Sequence, residues 1–292
     1  MNNLIEEYLN YLRVEKLSNN TIMAYRRDLD KFKSYLDANG LNIKDVSNVE
    51  LQKHLDEMAE GNSKPSTISR QAASLRSLYK YLVKSGKISD DPTDGLKLPK
   101  IKKEAPQILT TKEIELFLSQ PDEKTLKGVR DKAMLEFAYA TGMKVSEIIG
   151  LSIKDINLKD EYVICNEGYR RRVIPLGKIS VSALRRYLEE ARPFLINSDD
   201  ESTLFVNLTG TQLTRQGFWK IIKQYKNQAN IESDITPHVL RHSFATHLLQ
   251  NGADIHAIQN MMGHADISST EIYLQFMPDD ISSEYKNAHP RA

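Results

Sequence analysis

The sequence predicts a mainly α-helical protein with two domains and one small β-sheet. The chain has 292 residues, about twice the roughly 150 residues of a common single domain. Apolar residues recur every three or four positions over most of the chain, which is the period of a helix, whereas residues 153–176 alternate as strands do. We therefore expect an N-terminal helical domain over residues 1–89, a linker over 90–107 and a C-terminal domain over 108–292.

The composition excludes several classes of protein. Cys165 is the single cysteine, which excludes an internal disulfide and a cysteine-rich zinc site and favours a cytoplasmic location. Since no apolar run approaches about 18 residues, we expect no membrane span. The 40 basic and 39 acidic residues give a net charge of +1, so any binding of nucleic acid must depend on local clusters of charge.

The N-terminal domain is predicted to be a bundle of four or five helices. A polar break at residues 18–21 separates the first two helices. Gly40 and Gly86 stand where the C-terminal caps of the second and fourth helices belong. Pro65 suits the first turn of the fourth helix, because its missing N–H has no partner there in any case.

Basic residues cluster in three places that predict contact with phosphates. One cluster lies on the fourth predicted helix, one in the proline-bracketed linker, and one at a predicted hairpin. The alternative for the helix is a solvated face, and for the linker a solvated hinge, whereas a phosphate backbone would attract all three clusters. The candidates are Arg70, Arg76, Lys80 and Lys84, then Lys100, Lys102 and Lys103, then Arg170, Arg171 and Arg172.

The C-terminal domain is predicted to combine helices with one β-hairpin. Thr110 and Glu113 have the spacing of a capping box at its first helix. Strands over 162–164 and 173–176 flank a polar turn at residues 166–168. The other predicted helical stretches are 129–150, with a break at Thr141-Gly142, then 180–191, 214–228, 237–250, 254–262 and 268–276.

Residues 236–242 predict an anion site at the start of a helix. Thr236 suits the N-terminal cap and Pro237 the first turn. His238 and Arg241 are three residues apart and therefore share a face, at the helix end that favours anions. The alternatives are a structural ion pair for Arg241 and a zinc pair formed by His238 and His242, although the glutamate of a metalloprotease motif is absent between them.

Four segments of the chain together resemble the tyrosine recombinase (phage integrase) family, and the resemblance covers nearly the whole chain. Both the order of the segments and their spacing agree with the family pattern, and the last four residues are similar to the tail of the Xer-type members. The segments are Ala140-Thr141-Gly142-Met143-Lys144-Val145-Ser146-Glu147, the run from His238 through Arg241 and His242 to Thr246, Gly263-His264, and Tyr273.

The resemblance implies a helical, SAM-like core-binding domain followed by a catalytic domain, which together form a C-shaped clamp on double-stranded DNA. It also implies a homotetramer on two DNA sites, or a heterotetramer with a second recombinase, and no cofactor or metal. It leaves open the target DNA site and the choice between a chromosome dimer site and a mobile element.

The resemblance further implies a role for each matched side chain. The Tyr273 hydroxyl would attack a DNA phosphodiester and form a 3′-phosphotyrosyl bond, which stores the bond energy and needs no ATP. Arg241 would clamp the phosphate oxygens, because its planar fork matches them. His238 would take the tyrosine proton as general base, and His264 would hydrogen-bond the phosphate in the transition state.

Two positions depart from the family pattern. Lys144 replaces an arginine, which keeps the charge but loses the bidentate fork. Glu167 falls where the family has the lysine that protonates the leaving 5′ oxygen. A carboxylate about 4 Å from a phosphate is repelled by roughly 4 kcal/mol at an effective dielectric of about 20. A register error in the predicted hairpin would move Glu167 away from that position.

These departures leave more than one function open. The first is site-specific recombination of Xer type. The second is a DNA-binding paralogue that cleaves weakly or not at all and acts as a partner or regulator. The third, a metal-dependent hydrolase, depends on His238 and His242 alone.

The segment after Tyr273 is expected to contact a neighbouring subunit. Ile281, Tyr285 and residues 289–292 follow a break at Pro278-Asp279-Asp280. The family's tail docks on another protomer and couples the active sites, so the resemblance implies the same here. The alternative is a helix that packs on its own domain.

Overall fold

The computed structural model describes residues 2–100, 106–167, 170–198, 201–264 and 266–274, with the backbone alone for Asn2, Glu167 and Arg170. The chain divides into two compact units, Met1–Lys103 and Glu104–Ala292. The elements are mostly helical with one three-stranded sheet, as the sequence predicts. Within the described ranges, every helix is too short or too polar to cross a membrane.

Four helices build the first unit, in agreement with the predicted bundle. Ser18 caps the second helix by accepting from the Thr21 backbone N–H, and Ser47 and Glu50 form a capping box on the third. The apolar faces meet in one core that buries Tyr8, Phe32 and Tyr79 among leucines. The helices are α1 (Asn2–Val14), α2 (Asn19–Ala38), α3 (Asn48–Glu60) and α4 (Pro65–Lys84).

Part of the predicted linker belongs to the first unit. Leu96 is buried in the core of that unit, and Leu98 packs against the same core. Asn48 of α3 donates hydrogen bonds to the Pro92 and Asp94 carbonyls. An apolar side chain at position 96 gains free energy by leaving water, so the turn-rich segment after α4 lies on the bundle.

A buried polar group joins the helices of this bundle. Asp28 is 1% exposed and accepts from Arg70 and, at 2.8 Å, from the Ser74 hydroxyl. Gln71 donates to the Asp28 carbonyl and lies 3.3 Å from Nε2 of His54. The carboxylate is thus satisfied, which a buried charge requires.

Over the second unit's described residues, nine α-helices and three strands form a core around the helix Leu126–Thr141. Thr110 and Glu113 form the predicted capping box on the first of these helices, Thr111–Leu118. The apolar stretch predicted over 129–150 is two helices, separated at Gly142. The helices are α5 (Thr111–Leu118), α6 (Leu126–Thr141), α7 (Val145–Gly150), α8 (Lys178–Arg186), α9 (Arg192–Leu195), α10 (Arg215–Gln228), α11 (Pro237–Gln250), α12 (Ile255–Met262) and α13 (Ser268–Glu271), and the strands are β1 (Ile156–Asn157), β2 (Tyr162–Glu167) and β3 (Arg170–Pro175).

The sheet is antiparallel in the order β1-β2-β3. The pairing of Val163 with Ile174 places both of these side chains on the buried face, whereas Val173 is exposed. The predicted turn at 166–168 begins too early, because Asn166 and Glu167 are still paired with β3. The register set by the buried face continues the ladder to Glu167 and Arg170, which are separated by only two residues in the sequence.

We expect acidification to destabilise the first unit through His54. Burial lowers the pKa of His54 to about 4, from 6.5. Since the folded pKa lies below the unfolded one, the unfolded chain binds the proton first, and stability is lost as the pH falls from 6.5 towards 4. The loss from His54 between about pH 7 and about pH 5 is about 2 kcal/mol.

Native-state hydrogen exchange of α2–α4, corrected for intrinsic rates, measures this loss. His54→Gln should remove most of it, because a neutral amide takes up no proton. The exposed His256→Gln is the control and should leave it unchanged. An equal loss in the native chain and in His54→Gln would contradict the assignment to His54.

Candidate active site

The start of α11 has the geometry that the sequence predicts. Thr236 accepts from the Val239 backbone N–H at 3.2 Å, and Pro237 occupies the first turn. These residues fix where the helix begins and therefore which side chains face inward. His238 is exposed, Arg241 is buried, and His242 is half-buried.

Arg241 is held inside the unit by carbonyl oxygens from two other elements. Its guanidinium donates to the carbonyl of Gly142 and, at 2.7 Å, to the carbonyl of Met262 at the end of α12. Gly142 has a φ of +56°, and a Cβ there would lie 2.2 Å from the Phe244 ring. Only glycine allows this turn to approach α11, so the turn and Arg241 position one another.

His264 lies next to this cation. It follows Gly263, which ends α12 at a φ of +69°, and its Nδ1 is 2.8 Å from the Thr270 hydroxyl. Burial lowers the pKa of His264 to about 4, and the positive charges of Arg241 and Lys144 lower it further. The ring is therefore neutral near pH 7 and carries one donor and one acceptor.

Tyr273 is enclosed by the same helices. It is 1% exposed and lies in a cluster with Phe244, Leu249 and Met262. Burial raises the pKa of the Tyr273 hydroxyl to about 12, while the charge of Arg241 acts in the opposite direction. The hydroxyl is therefore protonated at neutral pH and within the electrostatic reach of the buried guanidinium.

The hydroxyl of Tyr273 contacts His242, and its oxygen lies 2.8 Å from Nδ1 of that ring. The family resemblance implies that His238 is the proton acceptor, and the ring centroid of His238 is 6.5 Å from that of His242. The role of His238 stays a prediction, but the described contact belongs to the residue one turn further along α11. The sequence contained one signal for this role, because His242 directly follows Arg241. From its spacing, however, His242 was considered only as a zinc ligand together with His238.

The described residues provide no set of ligands that supports the zinc hypothesis. Within the described residues, no group of three or more His, Cys, Asp or Glu side chains is placed to hold a metal ion. His238 and His242 are thus without a third such ligand in the part of the chain that the structure describes.

Lys144 lies beside the site as the N-terminal cap residue of α7. Its backbone N–H donates to Glu147 Oε2 at 2.8 Å, and its Nζ is 4.0 Å from Oε1 of the same carboxylate. Arg172 donates to Glu147 at 2.7 Å and to the Met261 carbonyl at 2.9 Å. Glu147, to which the sequence analysis gave no role, is therefore a buried carboxylate between two cations.

The hairpin tip is described by its backbone. Glu167 ends β2 opposite Arg170, the first residue of β3. Residues 168–169 lie outside the described ranges. Of the three predicted arginines, Arg171 is exposed, whereas Arg172 reaches α12 and packs against Gly263. The role expected of Glu167 stays a prediction.

Two cations of the α4 cluster already have partners inside the first unit. Arg70 forms an ion pair with Asp28, which is buried. Lys84 lies 3.4 Å from the Tyr11 hydroxyl and over the face of that ring. The positive charges of Arg70 and Lys84 therefore already interact with groups of the first unit.

The other cations of the N-terminal cluster are more open. Arg76 is half-buried, while Lys80 and Lys100 are exposed. Arg76 and Lys80 are four residues apart on α4 and so lie on one face of the helix. Lys102 and Lys103 lie outside the described residues.

Each of the two units matches a known protein family. A family model described as "Phage integrase family" matches residues 107–278, and one described as "Phage integrase, N-terminal SAM-like domain" matches residues 5–86. The chain is 43% identical to tyrosine recombinase XerD of Staphylococcus epidermidis over 295 residues, and 45% identical to tyrosine recombinase XerD of Listeria innocua over 299 residues. Each alignment covers 100% of both chains.

Solved structures show the same fold. XerH site-specific recombinase, bound to a palindromic difH substrate in a post-cleavage complex, has a TM-score of 0.76 and 25% identity, over 93% of this chain and 80% of that one. The Tn1549 transposon integrase in complex with a circular intermediate DNA has a TM-score of 0.78 and 22% identity, over 99% of both chains. At that identity, the second likeness shows the fold alone.

The matched family models and the full-length relatives agree with the site, in which Arg241 and Tyr273 are buried and His264 is half-buried. The chain belongs to the phage integrase family and is a site-specific recombinase of the tyrosine type.

Proposed function

We propose that the chain cleaves and rejoins duplex DNA at a specific site through a 3′-phosphotyrosyl intermediate on Tyr273. One observation carries this proposal: Arg241 donates to the carbonyl of Met262, whose side chain lies in the same cluster as Tyr273 and which precedes Gly263-His264 at the end of α12. A nucleophile, a phosphate-binding cation and a neutral hydrogen-bond donor are thereby collected at one place. Phosphoryl transfer needs these groups, since it depends on positioning and charge stabilisation.

The reaction exchanges one ester for another. The Tyr273 oxygen forms a bond to phosphorus and loses its proton to His238, the expected general base, while the bond to the 5′ oxygen breaks and that oxygen leaves as a hydroxyl after taking up a proton. Rejoining reverses both steps. The energy of the phosphodiester is kept in the tyrosyl ester, so neither ATP nor a metal is needed in this proposal.

Arg241 would hold the non-bridging oxygens of the phosphate. Its two bonds to backbone carbonyls fix the plane of the guanidinium before DNA arrives. A donor held in place in advance needs no reorganisation during the reaction, which is the main advantage of an enzyme over water.

His264 would donate to a phosphate oxygen. Its Nε2 has no partner among the described residues, and the neutral tautomer that carries its proton there would accept from the Thr270 hydroxyl at Nδ1 and present a donor to the phosphate. His238, exposed at the start of α11, would remain available to the DNA.

A DNA-binding paralogue with weak cleavage is the second candidate function. The observation that favours it is at Lys144, whose ammonium lies 4.0 Å from Glu147 and has no fork to offer a phosphate. Glu167 at the hairpin adds a carboxylate where the family has a lysine. Such a chain would bind the site and act as a partner or regulator of another recombinase.

The proposed partner is double-stranded DNA, in a homotetramer or in a heterotetramer with a second recombinase. XerH, a structural relative, is solved on its difH substrate, which supports DNA as the partner here. We place the reaction in the cytoplasm, where a bacterial chromosome or mobile element is accessible.

We expect DNA binding to weaken steeply as salt rises, despite the net charge of +1. Each phosphate neutralised by a cation contributes about 0.9 to the log–log slope, because counterions are released. Arg76→Ala with Lys80→Ala should therefore lower the slope by about two units. Fluorescence anisotropy of labelled site DNA over a salt series measures it.

The matched control for this pair is Lys33→Ala with Lys53→Ala, which removes the same charge from α2 and α3 of the same unit. It should leave the slope near that of the native chain. A nearly flat salt response of the native chain would contradict electrostatic binding altogether.

We expect Lys144→Arg together with Glu167→Lys to raise strand cleavage. One well-placed charge-stabilising donor changes a rate by about 10²–10³-fold, and two donors on one phosphate need not add. The assay traps the covalent adduct on a nicked duplex that carries the site. Adding Tyr273→Phe should abolish the adduct and leave DNA binding intact.

Two outcomes of this assay would contradict parts of the proposal. Strong trapping by the native chain, unchanged by the double substitution, would show that Lys144 or Glu167 does not occupy the expected position. Site-specific binding without trapping in either form would favour the paralogue.

We expect deletion of residues 279–292 to weaken assembly on DNA more than it weakens binding to a single site. Ile281, Tyr285 and the terminal residues belong to a segment outside the described residues, so the expectation depends on the family resemblance. Native gel shifts with one-site and two-site DNA separate the two effects. Equal loss of both would favour a tail that packs on its own domain.

A further inference from the structure

The contact between Tyr273 and His242 has no role in the reaction described above. The two side chains come from different segments, since His242 lies in the second turn of α11 and Tyr273 follows α13. Their polar atoms are 2.8 Å apart and their ring centroids 5.6 Å apart. This is the single hydrogen bond of the Tyr273 hydroxyl within the described part of the chain.

The surroundings of the Tyr273 ring make this hydrogen bond important. Phe244, Leu249, Ile258 and Met262 supply the apolar part of its cluster. A hydroxyl buried among such side chains costs free energy unless it has a partner. Without His242, the hydroxyl would gain by turning towards water, and the ring would leave its place.

The protonation states leave the phenol with a proton that needs an acceptor inside the fold. Burial, followed by the charges of His238 and Arg241, lowers the pKa of His242 to about 4. The imidazole is therefore neutral near pH 7, whereas Tyr273 keeps its proton. Among the described residues, Nδ1 is the one atom within hydrogen-bond distance of the hydroxyl. Donation by the phenol to Nδ1 therefore satisfies the buried proton, and the ring proton then lies on Nε2.

We propose that His242 is a positioning residue for the nucleophile, whose Nδ1 holds the Tyr273 hydroxyl inside the C-terminal unit before DNA is bound. DNA must then exchange this hydrogen bond for contact with a phosphate. The name nucleophile depends on the function proposed above, while the contact and its test do not.

The same helix provides a matched control. His247 also accepts or donates through Nδ1 to a tyrosine, with the Tyr139 hydroxyl at 2.8 Å and ring centroids 6.1 Å apart. Both histidines are half-buried on α11. Losing either one removes one tyrosine–histidine hydrogen bond from the same region, but only one of them concerns Tyr273.

Nitration by tetranitromethane tests the proposal on the full chain without DNA. Tetranitromethane modifies accessible tyrosines, and peptide mapping by mass spectrometry gives the rate at each position, with Tyr25 of the first unit as internal reference. Tyr273 of the native chain should react slowly. His242→Leu fills similar space without an acceptor and should raise the rate about five- to tenfold, as expected for the loss of one hydrogen bond.

His242→Asn distinguishes positioning from space filling. The Asn Oδ1 is attached to Cγ, as is Nδ1 of histidine, so it can accept from the hydroxyl and should keep the rate within about twofold of native. His247→Leu should leave the rate at Tyr273 unchanged. Far-UV circular dichroism and thermal unfolding confirm that each variant is folded, and His242→Ala replaces His242→Leu if the latter does not fold.

A rate at Tyr273 that is equal in the native chain and in the folded loss variant would overturn the proposal. An increase of the same size in His242→Asn or in His247→Leu would do so too, because it would indicate general loosening of the core. Failure of the trapping assay, with the nitration pattern as expected, would count against the proposed function alone.

Discussion

The candidate active site depends on one buried cation, the guanidinium of Arg241. Removing a charge from water is expensive, and the cost is offset only where hydrogen bonds replace the lost solvent. Here the carbonyls of Gly142 and Met262 do so, and each of them ends a helix. A single side chain therefore fixes where the turn after α6, the body of α11 and the end of α12 meet. The close approach of Gly142 to Phe244 shows how little freedom that junction has.

Burial around this cation also sets the protonation of the groups that surround it. It lowers the pKa of His242 and of His264 to about 4 and raises that of Tyr273 to about 12. Two neutral imidazoles and a protonated phenol result near pH 7. The site thus contains neutral hydrogen-bond donors and acceptors near pH 7. Among these groups, Arg241 carries the only buried positive charge, and this is the charge that a phosphate would contact.

One departure from the family pattern, Lys144, lies in a second network of hydrogen bonds and ion pairs that borders the surroundings of Arg241. Glu147 accepts from Arg172 and from the backbone of Lys144, and the Lys144 ammonium lies near its other oxygen. Arg172 in turn packs against Gly263, directly before His264. A change of side chain at position 144 therefore alters a charge balance that extends to the histidine, which is why this position bears on cleavage in the proposed function.

The sequence alone determined the helices, the hairpin and the family. Helical periodicity, capping residues and motif order are local properties, so α1–α4, the capping box at Thr110 and the start of α11 at Thr236 follow from neighbouring residues. The order of the matched segments was enough to indicate a tyrosine recombinase, which the family models and the full-length relatives confirm.

Only the tertiary structure decided which side chains of those segments meet. His238 and His242 are one helical turn apart, and the family pattern favoured His238, but in the fold His242 is half-buried against Tyr273 and His238 is exposed. Arg70 is a surface cation by pattern, yet Asp28, 42 residues away, pairs with it. The sequence predicts that Leu96 lies in the linker, but its side chain is buried in the core of the first unit. Each of these contacts joins residues distant in the chain, and local periodicity carries no information about what packs against a helix from another part of the fold.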